Sequence, residues 1–350
     1  MSLSRPARFP LLKLPWLCIK CVLHNSDEFI LIYFATISDR TRRIVRSSSY
    51  PIREIDVCLS RCSYISFKHQ LEKTENEKTW YFIHDTFPYV GQFVLRLGSL
   101  PIRSSRGFNF TTGNYLDSYT AGNKLDALKM GIEFMIDVFR CSIKQVSVDG
   151  NKLSDFFGLG ISTVKELLIN DPGPVNITDL KYLLKNVKVT DEYVFCAPIA
   201  EDFSCDPQIF NCRRIAFLCN HSADWVTLEI LRQFDASQLY FSYHYRFSKQ
   251  DIVSYVTHWF NSENKKLEYL HINFKSPVSL VDFKIDHLNP MPFCETRRNR
   301  YPFVKGWEEE DMSSGMDILR QDGLLATLFA KHTYVIFYVW HKRFPDVVQI

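Results

Sequence analysis

The sequence predicts an α/β fold of 350 residues: a short three-helix module at the N-terminus, then an irregular solenoid of strand–helix repeats with β-rich caps. Three observations predict it. Apolar residues recur at helical spacing through residues 1–50. Beyond Pro51 the pattern changes to short segments that alternate with period two. Between Ile143 and Ile272 the arrangement apolar-x-x-apolar-x-apolar returns six times, with helical patterns in the gaps. At 46% hydrophobic and 23% charged residues, the composition is that of a chain that folds around its own core without a metal or disulfide staple.

The first module occupies residues 1–50. In "LLKLPWLCIKCVL", Pro15 suits a first helical turn, where its missing N–H costs nothing, and Leu14, Cys18, Val22 and Leu23 follow near helical spacing to an end near Asn25. The run "EFILIYFA" is apolar nearly all round, so both faces need cover. Ser38 caps a third helix that carries Arg40, Arg42, Arg43 and Arg46, which reads as a solvated basic face. Three helices this short show more apolar surface than they bury among themselves, so part of it faces a partner or the next domain.

Residues 51–120 read as a β-rich lead-in, with "EKTENEK" as a hairpin loop. Residues 121–294 open on an amphipathic helix, Asn123 to Arg140, and continue into the six recurrences, which start at Ile143, Val164, Thr190, Cys212, Ala236 and Leu267. The steps of 21, 26, 22, 24 and 31 residues lie mostly in the range of leucine-rich repeats, and Asn151 and Asn220 stand three places after the last apolar position of their copies. "NITDLKYLLKNV", "ADWVTLEILRQF" and "SKQDIVSYVTHWF" supply helices between strands, the last with Ser248 and Asp251 as a capping box. A leucine-rich-repeat-like solenoid is therefore expected, with a doubly wound sheet as the other arrangement that the alternation allows. Residues 295–350 form a charged loop and then a cap, a hairpin around Asp322-Gly323 and a last strand "YVIFYVW".

The chemistry to be expected is binding. A net charge of +3 leaves no broad footprint for nucleic acid, and no apolar run is long enough for a membrane span. Arg5 and Arg8 precede an apolar segment as in a signal peptide, but Lys13, Pro15 and Lys20 interrupt it and no cleavage site follows, so an intracellular chain with reduced cysteines is expected. "GLGIS" at Gly158 lacks the third glycine of a dinucleotide loop, Cys18 and Cys21 have no second pair at finger spacing, and Cys219 with His221 is more often loop chemistry than a nucleophile and base. No catalytic residue, metal or cofactor is assigned. Strand positions between the apolar ones, Lys144, Glu166, Arg214 and Tyr240, are the candidates for facing a target protein.

Two stretches carry a resemblance. Leu14-Pro15, Val22-Leu23, Leu31 and Ile37-Ser38-x-Arg40 resemble the F-box, with Leu17 and Ile30 where that module usually has acidic residues, Ser26 where it has an apolar one and Thr41 where tryptophan is frequent. "HWFNSENKKLEYLHINF" together with Gly315, Asp317, Ile318, Arg320, Asp322, Gly323, Ala326 and Thr327 resembles the closing region of the F-box-associated domain of nematode F-box B type proteins, and "FPLLKLP" looks like that family's opening. The resemblance implies a non-catalytic substrate receptor of a cullin-RING (SCF-type) ubiquitin ligase. Its residues 51–350 would bind a target protein, and Leu14, Pro15, Val22, Leu23 and Leu31 would contact the adaptor subunit. An interaction protein with a vestigial F-box is the second expectation.

Overall fold

The structure, a computed structural model, describes residues 11–68, 77–84, 92–109, 113–120, 122–242, 246–294, 299–301 and 310–341. Arg5, Arg8, most of the "EKTENEK" loop and most of the charged loop from 295 lie outside the described residues. The chain is mixed α/β with eight α-helices among the described residues, and its contacts separate two compact units, Met1–Lys144 and Gln145–Ile350.

The first unit opens on α1 (Trp16–His24), α2 (Glu28–Thr36) and α3 (Asp39–Ser48). Ser38 and Thr41 form a reciprocal capping box, so the position where a tryptophan is frequent holds a helix cap here. Strands β1 (Glu54–Leu59), β2 (Ser63–Phe67), β3 (Lys78–His84), β4 (Phe93–Leu97), β5 (Leu100–Asn109) and β6 (Gly113–Thr120) pair in the order β1-β2-β3-β6-β5-β4, all antiparallel except β3 with β6. Helix α4 (Lys124–Phe139) packs on one face of this sheet. Its Gly131 lies so near Phe82 that a Cβ there would come within 2.4 Å of the ring, and Phe134 meets Trp80 edge-on at 6.2 Å. Trp80 Nε1 donates to Ser118 Oγ at 2.8 Å, which satisfies the buried indole.

The three N-terminal helices are fastened to that sheet. Glu28, 1% exposed, takes the ammonium of Lys78 on β3 and the hydroxyl of Tyr50 at 3.1 Å. Asp27 pairs with Arg106 on β5 at 3.0 Å, and Arg42 and Arg46 both reach Asp137 of α4 at 2.9 Å. The basic face of α3 is thus partly a clamp on α4, which corrects the expectation of a wholly solvated one.

In the second unit, β7 (Ser142–Asp149), β8 (Thr163–Asn170), β9 (Lys188–Phe195), β10 (Arg214–Phe217), β11 (Gln238–Phe241) and β12 (Tyr269–Asn273) lie parallel and side by side in chain order. All six recurrences fall on or at the edge of these strands. Strands laid down sequentially, with the usual right-handed crossovers, place their connections on one face. Those connections are α5 (Leu153–Phe157), α6 (Ile177–Asn186), α7 (Leu228–Gln233) and α8 (Lys249–Asn261), whereas β9 passes to β10 through a single 3-10 turn at Pro207–Ile209. The expected asparagine signature does not hold, because Asn151 and Asn220 are both exposed instead of serving a buried ladder. What fills the helix-side core is aromatic: Phe195, Phe217 and Phe241 stack in register at 5.1 and 4.9 Å, with Trp225 and Phe210 edge-on to them.

The cap continues with β13 (Met291–Pro292), the small pair β14 (Arg300–Tyr301) and β15 (Glu310–Asp311), and β16 (Met316–Leu319), β17 (Leu325–Lys331) and β18 (Tyr334–Trp340), where β18 runs antiparallel to β12. The residues around the Asp322-Gly323 turn are its fastenings. Gly323 has φ +83°, a conformation in which a side chain is strained. Asp317 accepts from Thr327 Oγ1 at 2.6 Å, and Trp340 Nε1 donates to that same hydroxyl at 2.7 Å. Arg320, 4% exposed, gives the Nε–Nη2 edge of its guanidinium to both oxygens of Asp322 and donates from Nη1 to the carbonyls of Trp259 and Asn264, with its Cζ 4.8 Å from the centre of the Trp259 ring. The hairpin is thereby locked to the C-terminus of α8, where an arginine also suits the helix dipole.

Candidate functional site

The five residues expected to touch an adaptor separate into two groups. Pro15 and Val22 are exposed and Leu14 is half-buried, but Leu23 and Leu31 are 2% and 1% exposed and belong to the helical core. The outward faces of α1 and α2 show other apolar residues instead: Trp16, Leu17 at 77% exposure, Ile30, Tyr33 and Ile37. Leu17 and Ile30 are the positions where an F-box usually carries acids. Apolar side chains there enlarge an exposed greasy surface, which is what an interaction face looks like on a small helical unit. Sequence periodicity finds the helices and misses Trp16, Tyr33 and Ile37, because runs that are apolar on most sides do not reveal which residues point out.

The four target-facing candidates do not form one group either. Strand alternation puts Glu166, Arg214 and Tyr240 on the sheet face opposite the helices, while Lys144 belongs to the alternation of Val146 and Val148 and lines a cavity of about 270 Å³ in the first unit with Arg53, Glu54, Asp56, Phe67 and Lys68. Tyr240 is buried, stacked 4.5 Å from His271, and covered by a layer that includes Phe293 and Met312. Glu166 and Arg214 remain half-exposed in one register row with Glu192: Gln145, Glu166, Glu192, Arg214 and Gln238 follow one another across β7 to β11. Arg214 is ion-paired with Glu192. Burial holds the Glu192 carboxyl above its ordinary value even beside that arginine. Glu192 was findable from sequence, since it precedes the middle apolar residue of its copy as Glu166 and Arg214 do in theirs.

The motifs with catalytic overtones have ordinary partners. Cys219 Sγ donates to the Asn220 carbonyl at 3.3 Å while His221 pairs with Asp224 at 2.6 Å, so the two do not form a dyad. Burial pushes the Cys141, Cys205 and Cys212 thiols up to about 12, where they stay protonated and inert at neutral pH. Gly158 and Gly160 make the turn out of α5 into β8, the reverse of the strand-to-helix order that a dinucleotide loop requires. Cys18 and Cys21 are exposed on α1, and no cluster of metal-ligating side chains exists among the described residues. Nor is any helix among them long and apolar enough to cross a membrane. A cavity of about 600 Å³ opens beside the end of α8, but Arg320, its buried cation, spends its donors on Asp322 and two carbonyls.

No curated protein and no solved structure matches the chain. Residues 206–272, from the turn before β10 through the phenylalanine stack to β12, match the family model described as F-box associated.

Proposed function

We propose that this chain is the substrate-recognition subunit of a cullin-RING (SCF-type) ubiquitin ligase, related to the nematode F-box B type group, whose closing motif it resembles. The observation that carries the reading is the F-box-associated match at residues 206–272 in a chain whose first described helices, α1 to α3, bear an exposed apolar surface. Pro15, Trp16, Leu17, Val22 and Ile30 dock the adaptor, with Leu14 at the edge, while Leu23 and Leu31 hold the helices that present them. The sequential parallel strands support a leucine-rich-repeat-like scaffold whose open face, at Glu166, Glu192 and Arg214, meets the target. The chain breaks no bond itself. Its contribution is effective concentration, since it holds a target lysine near the charged conjugating enzyme.

The test is capture of purified adaptor by the full chain and by two variants. Leu17→Asp with Val22→Asp places carboxylates on the surface, and a contact that buries them unpaired loses about a hundredfold or more in affinity while the thermal midpoint stays within a few degrees. Leu23→Asp instead unfolds the helices. Full capture by the surface variant, or none by folded wild type, would leave an interaction protein with a vestigial F-box.

A further inference from the structure

We propose that the outer face of the first unit's sheet, opposite α4, is a docking site for an arginine-bearing segment of a partner protein. Alternation along β2, β3 and β6 sends Ile65, Trp80, Phe82 and Leu116 to the α4 side and Tyr64, Tyr81, Tyr115, Asp117 and Tyr119 to the other. Those five are all half-exposed. Tyr64 meets Tyr81 edge-on with centroids 5.5 Å apart, and Tyr81 meets Tyr115 at 6.2 Å. The Tyr115 ring lies over Gly107 of the next strand, where a Cβ would come within 2.2 Å of it, so the glycine lets the ring lie flat on the sheet. The result is a tyrosine platform across three neighbouring strands.

Asp117 sits in register with Tyr81 inside this platform. Its carboxylate is partly withdrawn from water, and among the described residues it makes no ion pair. Its hydrogen bond there comes from the Tyr119 hydroxyl at 3.2 Å, itself 3.1 Å from Ser105 Oγ. A carboxylate desolvated by aromatic walls without a cation costs stability in the free protein, and an incoming cation offsets that cost. The electron-rich faces of the tyrosines add attraction for the same charge. A guanidinium fits better than an ammonium because it is planar, stacks on a ring and pairs with a carboxylate along one edge. Arg103, exposed and in register with Tyr119, stands at the rim and selects against a partner whose arginines are packed on every side. This site goes beyond the ligase reading and does not depend on adaptor docking.

The experiment is fluorescence anisotropy with the full chain and a fluorescein-labelled peptide of alternating arginine and glycine, beside its lysine and glutamine counterparts. The arginine peptide binds most tightly, the lysine peptide more weakly and the glutamine peptide not at all. Asp117→Asn, which keeps the shape and the Tyr119 contact, weakens the arginine peptide about tenfold or more, and Tyr81→Leu does likewise. Asp286→Asn, an exposed acid of the second unit outside the proposed target face, leaves binding unchanged. Absence of binding by folded wild type overturns the assignment, and so does equal binding by Asp117→Asn or an equal loss in Asp286→Asn. Adaptor capture measured on the same Asp117→Asn preparation stays at the wild-type level, so failure here and failure of the ligase reading are distinguishable.

Discussion

Arg320 reads in sequence like a solvent-facing hairpin residue, yet it is buried and fully engaged between Asp322, the α8 terminus and the Trp259 ring. Arg320→Leu removes donors from two carbonyls and leaves Asp322 without its main partner, so it costs about 3 kcal/mol in urea unfolding, and a loss under about 1 would sink that role. The motif around it was visible as a resemblance, but its purpose was not, because Trp259, Asn264 and Trp340 are supplied by distant parts of the chain. His271 offers a second check. Enclosed by Tyr240 and Tyr334, it accepts or donates to Tyr269 and Asn273, and burial lowers it from 6.5 to about 4. A base depressed in the folded state takes up its proton more readily when unfolded. Its contribution is therefore complete above pH 6.5 and is lost as pH falls toward 4, by roughly 3 kcal/mol in all. Urea titrations of wild type and His271→Gln between neutral pH and pH 4.5 then differ in slope, with the variant flatter, and parallel curves would refute the burial argument.

Helix α2 shows why an element must be read with what it packs against. Its sequence is apolar nearly all round, and the one acid in it, Glu28, looks like an ordinary first-turn carboxylate favoured by the helix dipole. In the structure Glu28 points into the sheet and meets Lys78, fifty residues on, with Tyr50 closing the group. Glu28→Met removes the carboxylate that faces the buried Lys78 ammonium and destabilises by about 3 kcal/mol or more, whereas Glu28→Met with Lys78→Met is milder than either single change. Thermal melts of the three variants decide it; a double variant that melts below both singles would show that the pair is net stabilising in itself. The neighbouring positions Val22 and Leu23 mark the limit of reading α1 from sequence. Periodicity located the helix and its end at Asn25, but a single-residue step, about 100° around the axis, separates a surface side chain from a core one.

At the scale of the whole chain, the six recurrences were legible because buried parallel strands impose one apolar pattern on each copy. The division at Lys144 was not, since it falls inside the first recurrence, where the pattern is continuous. Contacts nonetheless concentrate within Met1–Lys144 and within Gln145–Ile350, and regions with dense internal contacts open and close as cooperative blocks. Phe217, in the middle of the stack with Phe195 and Phe241 and 1% exposed, is the place to perturb one block alone. Phe217→Ala removes about 3–5 kcal/mol of packing. Native-state hydrogen exchange should then speed up in β8 to β12 and α6 to α8, by two orders of magnitude or more where exchange follows the opening of that block, while β2, β3, β6 and α4 keep wild-type protection. An equal rise in both regions would mean that the chain unfolds as one block. Unchanged exchange in β10 would mean that the phenylalanine stack is not what holds the repeats together. Under the proposed receptor function, protection confined to the first unit has a corollary: Phe217→Ala weakens target binding through the second unit while adaptor capture by α1 and α2 continues.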